Sequence, residues 1–315
     1  MMYDLVALGE VMIRLALPSP TRFETVRQLD VQIGGAEANV AAACARLGRR
    51  TAWVSALPVN PWGERVRREL TGHGIDCSYV RMVEGARMGV YFLEYGVPPR
   101  SIRVLYDRRD SAFSRLTPDQ VDWEPIRRAR LVHLTGITAG LGANGQALVR
   151  RALREATAIS FDVNYRAALW TPEQARAFMD EVLPAVRYLF MGESEARLIF
   201  GCGGPPEATL ESLTRRAPKA TVTVLRGEEG SLTADAGAVI RPTRHHVVHV
   251  IDPVGAGDAF VGGFLSVTLD DGTVQDAVNV GTAVAALKCS TWGDIALVDR
   301  RDVEDVLRGG PDVRR

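Results

Sequence analysis

Short apolar runs alternate with helix-period segments along most of the chain, and this alternation is the strongest constraint on its fold. The runs fall at 5–8, 51–57, 131–134, 158–161, 188–190 and 221–225. Each is a brief stretch of β-branched, aromatic or aliphatic residues bounded by polar residues or glycine, the pattern of a buried strand. Between them Val40, Ala43, Cys44 and Leu47 recur with helical spacing, and Gly48 follows as a stop. Val149, Ala152, Leu153 and Ala156 repeat that spacing. Strand–helix alternation predicts an α/β fold, with a mainly parallel central sheet and helices on both faces.

Two stretches break the alternation. In 11–17, Val11, Ile13, Leu15 and Leu17 alternate with Met12, Arg14 and Ala16. In 88–105, two apolar runs flank Gly96-Val97-Pro98-Pro99-Arg100, which has hairpin-turn chemistry. These segments predict a small, mostly antiparallel sheet beside the main one. It cannot bury both of its own faces, so one face covers the active site or pairs with a second subunit. No internal repeat or low-complexity linker is present, and 311–315 reads as a frayed tail.

Composition narrows the function classes. The 315 residues are 46% apolar and 24% charged, with 38 basic side chains against 38 acidic. Balanced charge offers no polybasic strip for nucleic acid, and this hydrophobicity argues against a disordered chain. No run of about 18 apolar residues occurs, so no membrane partner is expected. The N-terminus lacks the basic and apolar regions of a secretory signal. The cysteines at 44, 77, 202 and 289 form no C-x-x-C pair, so neither a disulfide framework nor a zinc ribbon is expected. The expected setting is a reducing cytoplasm. Only two lysines occur, Lys219 and Lys288, and neither follows a glycine as a P-loop requires. Neither stands in the V-A-I-K context of a protein kinase. A bound phosphate or carboxylate therefore meets arginine.

Two glycine-rich motifs carry chemistry. In Asp252-Pro253-Val254-Gly255-Ala256-Gly257-Asp258-Ala259-Phe260, Gly255 and Gly257 let successive N–H groups point into one concavity. The helix that follows adds its N-terminal partial charge, an anion site without lysine. A carboxylate beside a phosphate is repulsive unless it accepts a proton from an attacking hydroxyl, which suits Asp258. Read alone, Asp258 is equally an ordinary acid of a first helical turn. In Gly34-Gly35-Ala36-Glu37-Ala38-Asn39, paired glycines permit close ligand approach and Asn39, expected in the second helical turn, offers an amide to a ligand hydroxyl. A tight strand–helix turn explains the same residues. His245, His246 and His249 lack the helical spacing and neighbouring acids of a zinc site and are read as edge residues.

Together and in this order, Gly34-Gly35 with Asn39 and Asp252-x-x-Gly255-Ala256-Gly257-Asp258 resemble the two signatures of the PfkB (ribokinase-like) sugar kinase family. The resemblance covers essentially the whole chain. It implies one ribokinase-like αβα domain over 1–315, with lid strands from about 11–33 and 88–108. It also implies ATP and Mg2+ as cofactors, Asp258 as general base, and the loop of Gly255, Ala256 and Gly257 as anion hole. Asp162-Val163-Asn164-Tyr165-Arg166-Ala167-Ala168-Leu169-Trp170 resembles a stretch of the 2-keto-3-deoxygluconate kinases within that family. Tyr91, Tyr106 and Arg108 resemble the substrate-contacting lid positions of the same group. A sugar acid needs a cation, and arginine offers a bidentate fork, so Arg108 and Arg166 are the candidates. Read alone, Arg166 is a salt-bridge partner of Asp162 or another acid, and Arg108 a solvated charge in Asp107-Arg108-Arg109-Asp110. Gly34, Gly35 and Asn39 would hold sugar hydroxyls. Asn164, Arg166, Arg226, Gly227, Gly230, the 255–257 loop and Asn279 would contact the nucleotide. Many members carry N-x-x-E, whose residues organise magnesium through water. Here Glu195 is present, and Gly192 replaces the amide.

The expected activity is ATP-dependent phosphorylation of the 6-hydroxyl of 2-keto-3-deoxygluconate. The alternatives are a kinase of a neutral sugar or nucleoside (fructose, ribose, adenosine), or a non-catalytic binding protein. A nicotinamide dehydrogenase fails because neither glycine cluster reads G-x-G-x-x-G after the first strand. The expected partners are a small sugar acid and a second copy of the chain, giving a homodimer or larger through the lid.

Overall fold

The computed structural model describes residues 2–309 apart from 19, 20, 97, 98, 245 and 247. Two turn residues of the 96–100 segment, His245 and the 311–315 tail therefore lie outside the described residues.

The chain begins β1 (Tyr3–Leu8), β2 (Met12–Ala16), β3 (Asp30–Gly34), α1 (Ala36–Arg46), β4 (Thr51–Pro58) and α2 (Pro61–Gly72). Then come β5 (Ile75–Asp76), β6 (Val80–Val83), β7 (Val90–Glu94), β8 (Arg103–Asp107), α3 (Glu124–Arg127), β9 (Ala129–Thr135), α4 (Gly136–Gly140) and α5 (Ala143–Glu155). β10 (Ile159–Asp162), α6 (Pro172–Val182), β11 (Tyr188–Gly192), α7 (Glu193–Phe200), α8 (Pro206–Arg216) and β12 (Thr221–Leu225) follow. The last elements are β13 (Ser231–Asp235), β14 (Ala238–Ile240), α9 (Ala256–Thr268), α10 (Val274–Cys289) and α11 (Arg300–Arg308).

All six apolar runs become strands of one sheet, in the order β14-β13-β12-β11-β10-β9-β1-β4-β5, with β6 also pairing β4. From β12 to β5 every pairing is parallel, and β13 and β14 close one edge antiparallel. Parallel strands lie under helices on both faces, so they read as continuous apolar runs. In β4 all eight residues are buried. One core cluster packs α5 and α6 against the sheet, and another packs α1, α9 and α10 against its other side.

The two irregular stretches form a second sheet in the order β3-β2-β7-β8. Its outer pairings are antiparallel, but the central β2–β7 pair is parallel, because those strands leave the main fold in separate excursions. Among the described residues no helix is long and apolar enough to cross a membrane. Cys44, Cys77 and Cys202 are buried, Cys289 is half-buried, and all four are free thiols.

Candidate active site

Parallel strands present their C-terminal ends on one edge, where open α/β sheets bind ligands. A cavity of about 290 Å³ opens there, between that edge and the lid sheet. Glu10 follows β1, Ile137 follows β9, Asp162 ends β10, Gly192 ends β11 and Leu225 ends β12, and all five line it. From the lid come Tyr91, Tyr106 and Arg108, and from the glycine-rich segments Gly34, Gly35, Asn39, Gly255, Gly257 and Asp258.

Asp258 is the third residue of α9, after the cap residue Gly255, which takes the left-handed conformation with φ 86°. No other residue type fits there: a side chain on Gly255 would run into the main-chain carbonyl of Asp294. Asn39 Nδ2 donates to Asp258 Oδ2 at 2.7 Å. Burial in the cavity wall pushes the Asp258 carboxyl up to about 7. The Asn39 hydrogen bond and Arg166 oppose that rise, and Asp294 and Glu37 reinforce it.

Other acids crowd the same space. Burial raises Asp162 well above the usual carboxylate range, reinforced by Glu195 and Asp258. Glu195 is also raised by burial, although it accepts from Tyr165 N at 2.7 Å and Gly192 N at 2.9 Å. Glu37 accepts from Thr135 Oγ1 at 2.7 Å and Thr138 Oγ1 at 2.6 Å, and burial raises it too. Against these acids stand Arg108 and Arg166. Arg166 Nη1 donates to the Tyr165 carbonyl at 3.0 Å, so the salt bridge to Asp162 is not what occupies it. The Arg108 guanidinium lies 5.8 Å from the Tyr106 ring centre, and the Tyr91 and Tyr106 rings are 6.0 Å apart.

The expected residues are brought together with three differences. Asn39 is the fourth residue of α1 and ends its first turn, and its amide is engaged by Asp258 instead of standing free for a ligand. Arg108 is buried, not solvated: Nε donates to Glu10 Oε2 at 2.9 Å and Nη2 donates to the same oxygen. Arg226, Gly227, Gly230, Asn279 and Ala256 do not line the cavity, and the Ala256 N–H donates to the Pro253 carbonyl at 3.2 Å. Arg226 pairs with Glu229 and lies 3.7 Å from Glu193, and Asn279 Oδ1 accepts from Thr243 N at 2.9 Å. Asn164 does line it, held at φ 40° with its N–H donating to Asp162 Oδ1 at 3.1 Å. Among the described residues no group of three His, Cys, Asp or Glu side chains could hold a metal ion.

Glu10, Glu37 and Asp294 escaped the sequence reading. Glu37 carried a usable signal, a lone acid inside a run of glycine and alanine. Glu10 and Asp294 stand in loops whose spacing marks nothing.

The profile of the pfkB family carbohydrate kinases matches residues 2–301. The chain belongs to that family. This pfkB kinase is 39% identical over 312 residues to a 2-dehydro-3-deoxygalactonokinase of Haloferax volcanii, covering 98% of this chain and 97% of the relative. It is 34% identical over 313 residues to a 2-dehydro-3-deoxygluconokinase of Thermoproteus tenax, covering 98% and 95%. The crystal structure of a Thermotoga maritima 2-dehydro-3-deoxygluconokinase superposes with a TM-score of 0.91 at 32% identity, covering 98% of this chain and 99% of that one. The fold is ribokinase-like, a mainly parallel sheet between helices with a small lid sheet, and the protein is a carbohydrate kinase.

Proposed function

We propose that this pfkB kinase transfers the γ-phosphoryl group of ATP to the primary 6-hydroxyl of a 2-keto-3-deoxy sugar acid, 2-keto-3-deoxygluconate in the first instance. The carrying observation is the pairing, in one cavity, of a carboxyl with a pKa near 7 and two arginines. Neutral sugars need no arginine, whereas an ionised sugar acid does. Arg166 meets the carboxylate, assisted by Arg108, whose Nη1 remains beyond the two nitrogens that Glu10 holds. Gly34 and Gly35 let sugar hydroxyls approach the backbone, and Tyr91 and Tyr106 cover the substrate from the lid.

In the transfer, Asp258 takes the proton of the 6-hydroxyl as that oxygen bonds to the γ-phosphorus and the bond to the β-phosphate oxygen breaks. General-base help of this kind is worth roughly 10²–10⁴-fold. Positioning and charge neutralisation supply most of the remainder. The N–H groups of Gly255 and Gly257 and the start of α9 stabilise the transferring group. The carboxyls of Asp162 and Glu195 repel one another in the cavity wall, so they would hold Mg2+ through water and not as a three-carboxylate cluster of direct ligands. Mg2+ when bound supplies neutralising charge for the phosphates. Asn164, Arg226, Gly227, Gly230 and Asn279 are assigned to the nucleotide along the same edge. The enzyme is assigned to the cytoplasm as a homodimer through its lid, where Leu105 of the edge strand β8 is exposed on the face away from Tyr106 and the cavity.

A coupled ATP-to-ADP assay with Mg2+ tests this against 2-keto-3-deoxygluconate, 2-keto-3-deoxygalactonate, fructose, ribose and adenosine. Turnover confined to the ketodeoxy acids is expected, and Arg108→Met should raise the sugar KM while leaving the ATP KM unchanged. Turnover with a neutral sugar alone overturns the substrate. The Haloferax relative's name favours a second reading, the galactonate epimer, and the ratio of kcat/KM for the two acids decides between them.

A further inference from the structure

Along and behind the cavity wall lies a buried charged network whose cations the proposed transfer does not use. Arg14, in β2 of the lid, is fully buried. Its Nη1 donates to Asp294 Oδ1, and its Nη2 donates to Asp252 Oδ2 at 2.5 Å. Tyr95 OH donates to Asp252 Oδ2 at 2.7 Å, and Tyr91 OH to Asp294 Oδ2 at 2.7 Å. Beneath them Lys288, also fully buried, donates to the Asp252 carbonyl at 2.7 Å and stands 3.8 Å from its carboxylate. Two cations thus face two carboxylates, Asp252 fully buried and Asp294 nearly so.

These contacts link the lid to the glycine-rich loop. Asp252 opens that loop, and its Oδ1 accepts from Val254 N at 3.0 Å, which shapes the turn. Its Oδ2 also accepts from Gly293 N at 3.0 Å. Asp294 backs directly onto Gly255. Buried ion pairs are weak sources of net stability, since desolvation offsets their attraction. Arg14 Nε is itself buried without a partner. What a guanidinium does well is hold two carboxylates at a fixed separation, which a lysine cannot.

We propose that Arg14 is a positioning residue, tying the lid sheet to the 252–257 loop so that lid placement sets where the loop N–H groups and Asp258 stand. The claim rests on the kinase reading for its rate effect, but not for the mechanical link. Arg14 does not line the cavity, so any effect on turnover acts through Asp252 and Asp294.

The test compares wild type with Arg14→Gln, Arg14→Lys and Tyr95→Phe. On whichever ketodeoxy acid the wild type accepts, Arg14→Gln should lose roughly 10²-fold in kcat, the scale of a small misplacement. Binding of a non-hydrolysable ATP analogue should stay within about threefold, since a small misplacement of the loop and Asp258 costs most where charge develops in the transition state. Arg14→Lys should recover little of the loss. Adding Asp294→Asn to Arg14→Gln should cost less than the product of the single losses. Hydrogen exchange gives a readout that needs no sugar: Arg14→Gln should speed exchange in 252–258 and in β7 while the central strands keep wild-type rates. If Arg14→Gln does not fold, Tyr95→Phe should show the same localised pattern in milder form. Wild-type kcat in a folded Arg14→Gln, or exchange that rises evenly across the sheet, overturns the proposal. A wild type that turns over none of the panel sugars overturns the substrate reading alone, and the exchange pattern then decides the link.

Discussion

A carboxyl that titrates near neutrality leaves a visible mark on a rate, and Asp258 is placed to leave one. Its ionised form is disfavoured by burial and favoured by the Asn39 hydrogen bond, with the balance near 7. A base must be ionised to act, so kcat/KM should rise with pH and level off above an inflection near 7. Removing the Asn39 donor leaves burial unopposed at that oxygen. Asn39→Ala should therefore move the inflection to higher pH, measured as kcat/KM against pH with ATP saturating. An unmoved inflection would mean that another group titrates. Asp258→Asn should bind an ATP analogue with near-wild-type affinity while losing roughly 10²–10⁴-fold in kcat. Near-normal turnover in that variant would remove the base assignment.

At the scale of elements, the loop before α9 gives two glycines different tasks. Gly255 sits at φ 86° with a carbonyl where its side chain would go. Gly257 would place a new carbon 3.8 Å from Leu225 Cδ1, an ordinary contact. Gly255→Ala should therefore lower Tm and abolish turnover, with strain of about 1–3 kcal/mol from the forced conformation. Gly257→Ala should keep the wild-type Tm, measured by thermal unfolding of the two variants side by side. The sequence pattern treated these glycines alike, because a positive φ depends on what lies across the gap, here Asp294. The parallel strands were readable for the opposite reason: burial on both faces writes itself into all of β4 and into β1 apart from Asp4. The lid was readable as strands, but its parallel centre was not, since pairing between distant segments leaves no local trace. Asp258 and Asn39 were found through their glycine-rich settings, yet the bond between them, across 219 residues of chain, was beyond any local reading.

Across the whole molecule, the cavity gathers residues from 10 to 294, and its acids outnumber its arginines. A fold that concentrates carboxyls this way accepts a cost in stability for a site that cations and anionic substrates complete. Asp258 lets that cost be measured. Its carboxyl is raised from 3.8 to about 7 in the folded protein, so the folded state holds a proton that the unfolded chain has released. The stability this contributes is fully present below about 3.8 and is lost as pH rises through about 7. An amide at the same place neither gains nor loses a proton. The ligand-free Asp258→Asn protein should thus become more stable relative to wild type as pH rises from 5 to about 7.5, with no further change above that. The gap should be of the order of a few kcal/mol, reading as several degrees in Tm for a chain of this size. Thermal unfolding of both proteins across that range, without nucleotide or metal, measures the difference directly. Parallel Tm curves would show that Asp258 titrates where an ordinary aspartate does, and the neutral-range inflection in kcat/KM would then need another owner.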